Sequence, residues 1–289
     1  MKLLPALLCA ALLSAAYAAD GKKDDPAQIG NRDVGKGVNL YSVEKEMALG
    51  RQLAQEVQRQ TPMVTDPLIA EFVNRMGQNL VRHSDVRIPV TFYVIDSASL
   101  NAFALPGGHV FVSAGLMEIA DDEAELAGAM AHEIAHVAAR HLTRQASRQQ
   151  IAGMAAAPVG AALGGWTGYA ARQGSSLGIP MTFLTFGRRD EAEADYLGVQ
   201  YAYAAGYDPS GVISMFEKLE SLQKKQPGAV SKAFSTHPPD ADRIRKTQEE
   251  IDKILPARTD YVVTTSEYRE IRKRLIDQRA AREEQAAKP

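Results

Sequence analysis

Ala131-His132-Glu133-Ile134-Ala135-His136 is the stretch on which the fold of this chain turns. Each residue of an α-helix advances about 100°, so His132 and His136 lie roughly 40° apart on one face. Two imidazoles placed that way can grip one metal ion, and Glu133, one step round, can reach a water on that metal. Residues 123–140 read as one uninterrupted helix. The segment is alanine-rich and free of proline, with Glu123 and Glu125 at its start and Arg140 near its end, as the helix dipole favours. Asp121 or Asp122 can cap it. Leu126, Met130, Ile134 and Val137 form an apolar stripe at helical spacing, which predicts a mostly buried helix. Burying His, Glu and His together without a partner is costly, and this favours a metal over a merely hydrogen-bonded pair of core histidines.

His-Glu-x-x-His on a helix is the arrangement of zinc peptidases, whose catalytic sites take three protein ligands and a water. The third ligand must come from elsewhere. His141 follows His132 by nine residues, about 180° round the same helix, and is expected at the surface near the helix C-terminus. The metzincin pattern would need glycine and histidine where Ala139 and Leu142 stand. A better source is the helical stretch Arg188-Arg189-Asp190-Glu191-Ala192-Glu193-Ala194-Asp195-Tyr196-Leu197-Gly198. Glu191 and Asp195 share a face, whereas Glu193 points about 200° away from Glu191. One carboxylate of the pair can bind metal while the other holds a ligating histidine through its second ring nitrogen.

The pairing of His132-Glu133-x-x-His136 with Glu191-x-x-x-Asp195 resembles the gluzincin peptidase family that includes the CAAX-prenyl endopeptidases and the bacterial HtpX and BepA proteins. Asn101-Ala102-Phe103-Ala104-Leu105-Pro106-Gly107-Gly108-His109-Val110-Phe111-Val112 resembles that family's strand preceding the metal helix, and Ser235-Thr236-His237-Pro238-Pro239 its downstream Thr-His-Pro element. The resemblance runs in consistent order over residues 40–255. It implies an α+β, predominantly helical, zincin-like domain with a small β-sheet beside the metal helix. It also implies one zinc ion with Glu191 as third ligand, Asp195 holding a ligating histidine, and Glu133 as catalytic base. Metal occupancy should then depend on Glu191 and barely on Glu193. Asn101, Ala102, Phe103 and Ala104 are candidates for substrate binding, since a strand edge above the metal helix can take an extended peptide through backbone hydrogen bonds. His237 stands in a loop stiffened by prolines. Three roles are open to it: a surface residue, a hydrogen-bond donor to an oxyanion, or a fourth zinc ligand that holds the enzyme latent. The resemblance favours a place beside the metal. The substrates it implies are misfolded or misassembled cell-envelope proteins.

The remainder of the chain bounds this reading. Residues 1–18 are expected to be a cleavable secretory signal, with Lys2, an apolar run over 3–13 and the small-x-small site Ala16-Tyr17-Ala18. That predicts a periplasmic location. Cys9, the only cysteine, lies in that run behind the bulky Leu8, so no lipid anchor, disulfide or thiolate ligand is expected. Without the signal, 32 basic groups face 35 acidic ones, and no basic patch with interleaved aromatics points to nucleic acid. The expected organisation is an extended arm over 19–40, a peptidase domain over 41–256 and a charged helical extension over 257–289. Helices are expected at 43–59, 67–82, 197–205, 209–223, 239–255 and 266–288, and strands at 90–95 and 109–113. Residues 151–181, rich in glycine and alanine, read as a lid, a membrane-touching hairpin or a packed core hairpin. A peripheral contact with the membrane or an outer-membrane assembly is therefore a second expectation about partners. The C-terminal stretch is too short for a helical-repeat array of about three 34-residue units, a departure from BepA-type relatives. A multi-spanning prenyl-peptide protease is disfavoured, because no clear spanning helix is present. A chaperone-like binding protein with a structural or latent zinc site is the rival from another class.

Overall fold

The structure, a computed structural model, describes residues 25–156, 185–225, 237–238 and 240–286. The expected signal segment, residues 157–181 of the expected lid or hairpin, and Ser235, Thr236 and Pro239 lie outside the described residues.

Helix α1 (Val43–Gln60) starts at Ser42, whose hydroxyl accepts from the Lys45 N–H. Helix α2 (Pro67–Arg82) starts at Asp66, with Pro67 at the first helical position, where its missing N–H costs nothing. Three strands follow: β1 (Thr91–Ile95), β2 (Ala102–Leu105) and β3 (His109–Ser113). The sheet order is β1-β3-β2, with β1 parallel and β2 antiparallel to β3. The β2–β3 turn is made by Gly107 and Gly108 at φ +72° and +85°, a region open to glycine at little cost. Tyr93, Phe111 and Phe103 stack across the three strands, with ring centroids 4.6 and 5.1 Å apart. The two strands expected from β-branched composition are present; β2, buried along its whole length, is a third.

Helix α3 (Ala114–Ile119) leads into α4 (Glu123–Ala138), capped by Asp122. Every α4 residue from Glu123 to Val137 is buried, and each fully buried large apolar side chain, such as Leu126, Met130 and Ile134, contributes roughly 1.5–3 kcal/mol. Helices α6 (Arg188–Ala204) and α7 (Ser210–Lys225) pack against α4, as do α2 and the edge strand β2. The fold is thus predominantly helical, with a small mixed sheet beside the metal-motif helix. Gly198 of α6 permits the closest approach, since a Cβ there would stand 3.2 Å from the His132 Cα. Helix α8 (Ala241–Ile254) follows, capped by Asp240.

One expectation fails instructively. The metal-motif helix does not run through Arg140. It ends at Ala138, Arg140 takes φ +54°, and a separate helix α5 (His141–Ala156) begins at once. No glycine or proline marks the break. The Arg140 guanidinium instead donates to the Glu46 carboxylate at 2.7 Å and to the Tyr41 carbonyl at 2.8 Å, so distant contacts hold a turn that local propensity disfavours. The ~180° argument for His141 therefore does not apply. His141 is not at the surface but wholly buried.

The two ends of the chain also settle onto the domain. Arg32 is buried against Asp85 and Gln200, and Val34 joins the main core. Helix α9 (Ser266–Ala286) sends Tyr268, Ile271 and Leu275 into that same core, against α2 and α3. Its Arg274 pairs with Asp66 at 2.6 Å.

Candidate metal centre

Helix α4 presents His132 and His136 toward α6, and both are 3% exposed. Glu191 enters from the first turn of α6, and His237 from the segment just before α8. One potential ligand atom from each of these four buried residues lies within 4.8 Å of the other three. His132 Nε2 and His136 Nε2 are 3.1 Å apart, His237 Nδ1 is 3.4 Å from His132 Nε2, and Glu191 Oε1 is 2.7 Å from His237 Nδ1. The Glu191 carboxylate reaches His132 Nε2 at 3.5 Å and His136 Nε2 at 3.6 Å.

This donor set fits a cation. Two imidazole lone pairs 3.1 Å apart repel unless a proton or a metal stands between them. Burial alone would lower the His132 imidazolium, but hydrogen bonding to Asp195 and Glu191, with their charges, outweighs it and raises the ring to about 9. His136 is held well below the usual range by burial and by the neighbouring His237 and His132 rings. Nitrogen and carboxylate donors without thiolate are ligands that zinc accepts in catalytic sites. Among the described residues, the buried atoms Glu133 Oε2 and His237 Nε2 make no hydrogen bond.

Glu133 lies beside the cluster, with Oε1 3.4 Å from His237 Nε2. Burial raises its pKa, offset in part by His237 and His132 and by the Ala104 backbone N–H. Ala104 therefore turns its backbone to the site. Ala102 packs in the main core and Phe103 on Phe111, while the Asn101 backbone pairs with Ser113. Of the four candidates, Asn101 just before β2 and Ala102, Phe103 and Ala104 within it, the Ala104 backbone is the group that reaches Glu133.

Asp195 Oδ1 faces His132 Nδ1 at 3.0 Å. Burial would raise the Asp195 carboxyl, but Arg243 outweighs it and lowers the group. Arg243 grips Asp195 with Nε and Nη2 at 2.8 and 2.7 Å, and its Nη1 lies 3.0 Å from Glu191 Oε2. Its guanidinium carbon also lies 4.9 Å from the Phe216 ring centroid. Sequence reasoning missed Arg243. The available signal was chemical: two carboxylates on one buried helix face need a cation, and Arg243 stands one turn into the helix that follows His237. Reasoning also missed Phe186, which stacks on His136 at 4.2 Å and on His237 at 5.5 Å between ring centroids, and no pattern in the sequence marks it.

Residues 67–251 match peptidase family M48. The beta-barrel assembly-enhancing protease of Yersinia pestis is 30% identical over 262 residues, which cover 88% of this chain and 53% of that protein. Metalloprotease LoiP of Escherichia coli (strain K12) is 31% identical over 183 residues, covering 63% of this chain and 68% of that protein. The mitochondrial metalloendopeptidase OMA1 of Schizosaccharomyces pombe is 33% identical over 179 residues, 62% of this chain and 52% of the relative. This chain spans about half the length of the beta-barrel assembly-enhancing proteases it matches.

Proposed function

The chain belongs to peptidase family M48, and from this premise we propose that it is a zinc-dependent endopeptidase of the cell envelope. The observation that carries the reading is the buried convergence of His132, His136, Glu191 and His237 with Glu133 alongside. His132, His136 and Glu191 would hold one zinc ion. When bound, zinc acidifies water and polarises a peptide carbonyl. Glu133 accepts the proton of the attacking water and passes it to the leaving amine, a role helped by the burial that raises its affinity for a proton. The backbone edge of β2 at Ala104 aligns an extended substrate beside Glu133 by strand addition. His237 Nε2 lies 3.4 Å from Glu133 Oε1, and this ring would donate to the developing oxyanion when its proton stands on Nε2.

The relatives named beta-barrel assembly-enhancing proteases support substrates among misfolded or misassembled envelope proteins. With the signal expected at residues 1–18, they also support a periplasmic location and an outer-membrane assembly contact. Among the described residues, no helix is long and apolar enough to cross a membrane.

The convergence of a fourth protein group also favours a second reading. A zinc site closed by four protein ligands is structural or latent, and His237 would close this one in a chaperone-like binding protein. Incubating the purified chain with casein, with and without a chelator, tests the two. Cleavage that the chelator abolishes supports the peptidase. Zinc retained without any cleavage supports the closed site.

A further inference from the structure

The two ligand histidines are held from behind in different ways. Behind His132 stands a carboxylate, Asp195; behind His136 stands another histidine. His136 Nδ1 is 3.0 Å from His141 Nδ1, and His141 Nε2 is 3.2 Å from Glu193 Oε2. His141 is fully buried. Arg144 Nη1 approaches Glu193 Oε2 at 3.4 Å and donates to the Ala139 carbonyl at 3.1 Å, the end of the metal-motif helix.

Proton counting fixes this chain. A carboxylate only accepts, so the His141 Nε2 facing Glu193 carries the hydrogen. A neutral imidazole has one N–H, so His141 Nδ1 is left with a lone pair. His136 Nδ1, 3.0 Å away, must then be the donor, and His136 Nε2 is left bare toward the cluster. The Phe186 ring stacks on the face of His136, with centroids 4.2 Å apart.

We infer that His141 and Glu193 are positioning residues for His136, forming a buried hydrogen-bond chain that selects the tautomer and the ring orientation of this metal ligand. The inference rests on the zinc-site reading above. It assigns work to a residue that helical spacing had put on the surface, and to the carboxylate on the face of α6 away from Glu191. The turn at Arg140 makes the chain possible: with α4 ending at Ala138 and α5 restarting at His141, that ring lies beside His136.

The test is cobalt binding by the full chain, followed by visible absorption and by thermal melts of the metal-free protein. His141→Leu keeps apolar bulk but removes the acceptor. Its cobalt affinity should fall about 10–100-fold, as losing a group behind a ligating histidine typically does, with altered d–d bands. His141→Asn can keep an oxygen acceptor for His136 Nδ1 but loses the N–H toward Glu193, so it should weaken binding clearly less than His141→Leu. Glu193→Ala should weaken binding less than His141→Leu. Parent-like affinity in His141→Leu overturns the inference. So does equal weakening in the Leu and Asn variants, because a purely packing role would not distinguish them by their acceptor. If the parent takes up no cobalt, the metal reading itself fails and this inference with it. The melts separate loss of folding from loss of the ligand's support.

Discussion

His132 and His136 sit four residues apart on one helix, yet the structure backs them with opposite electrostatics. Asp195 faces His132 directly, itself gripped by two nitrogens of Arg243. This places a hydrogen-bonding carboxylate next to the ring, and Asp195 together with Glu191 outweighs burial and raises His132 to about 9. His136 is backed by a second imidazole, with Glu193 one ring further away, and burial with the neighbouring His237 and His132 rings holds it well below the usual range. Within one site, two ligands of one motif thus differ in basicity: Asp195 and Glu191 raise His132, while burial and the neighbouring His237 and His132 rings lower His136.

Variants can break or sharpen this contrast. The largest effect is expected where neither chain acts. Glu133→Gln should lower kcat by about 10²–10⁴-fold, the usual worth of a general base, while zinc content stays at the parent level. Substantial turnover by a metal-loaded variant would reject the assignment of Glu133. Glu191→Ala should next lower zinc occupancy outright, because Glu191 is the only carboxylate whose oxygens reach both ligand histidines within 3.6 Å among the described residues. Metal analysis of the purified protein decides this.

The comparison itself is ranked by Asp195→Ala against Glu193→Ala. Asp195→Ala should cost about 10–100-fold in metal affinity or activity, and Glu193→Ala less, since it acts through an intervening ring. A larger loss in Glu193→Ala would invert the contrast. The expectation that Glu193 barely matters is revised by its contact with His141. His237→Ala should change activity strongly while zinc stays bound through the other three ligands. A rise marks His237 as a latent fourth ligand and a fall marks it as an oxyanion donor. Kinetics and zinc affinity matching the parent would make it a bystander.

The smallest effect concerns Glu250, on the same helix as Arg243. Burial, then the Asp195 charge, push its carboxyl up to about 7 from the usual 4.5. The folded state therefore favours the protonated form, and the stability tied to this group is lost as pH rises through 7. Glu250→Gln should melt higher than the parent at pH 8 and show little difference at pH 5. A gain of equal size at both values would show that charge is not the cause.

What the sequence by itself determined is local and periodic. The 3.6-residue turn places His132 with His136, and Glu191 with Asp195, on shared faces. Caps such as Ser42, Asp66 and Asp122 stand at helix starts, and an apolar stripe announces that the metal-motif helix is buried. The Tyr268, Ile271 and Leu275 spacing of α9 was equally present in the sequence, but which neighbour would cover it was not. Tertiary structure alone decided the break at Arg140, because the groups that hold it, Glu46 and the Tyr41 carbonyl, are 94 and 99 residues away in the chain. It also decided that His141 turns inward, that Phe186 lies over His136, and that Arg243 neutralises Asp195 across 48 residues. Helical periodicity fixes direction only within an element; which charge meets which is settled when separate elements pack, and the two ligands acquire their difference at that step.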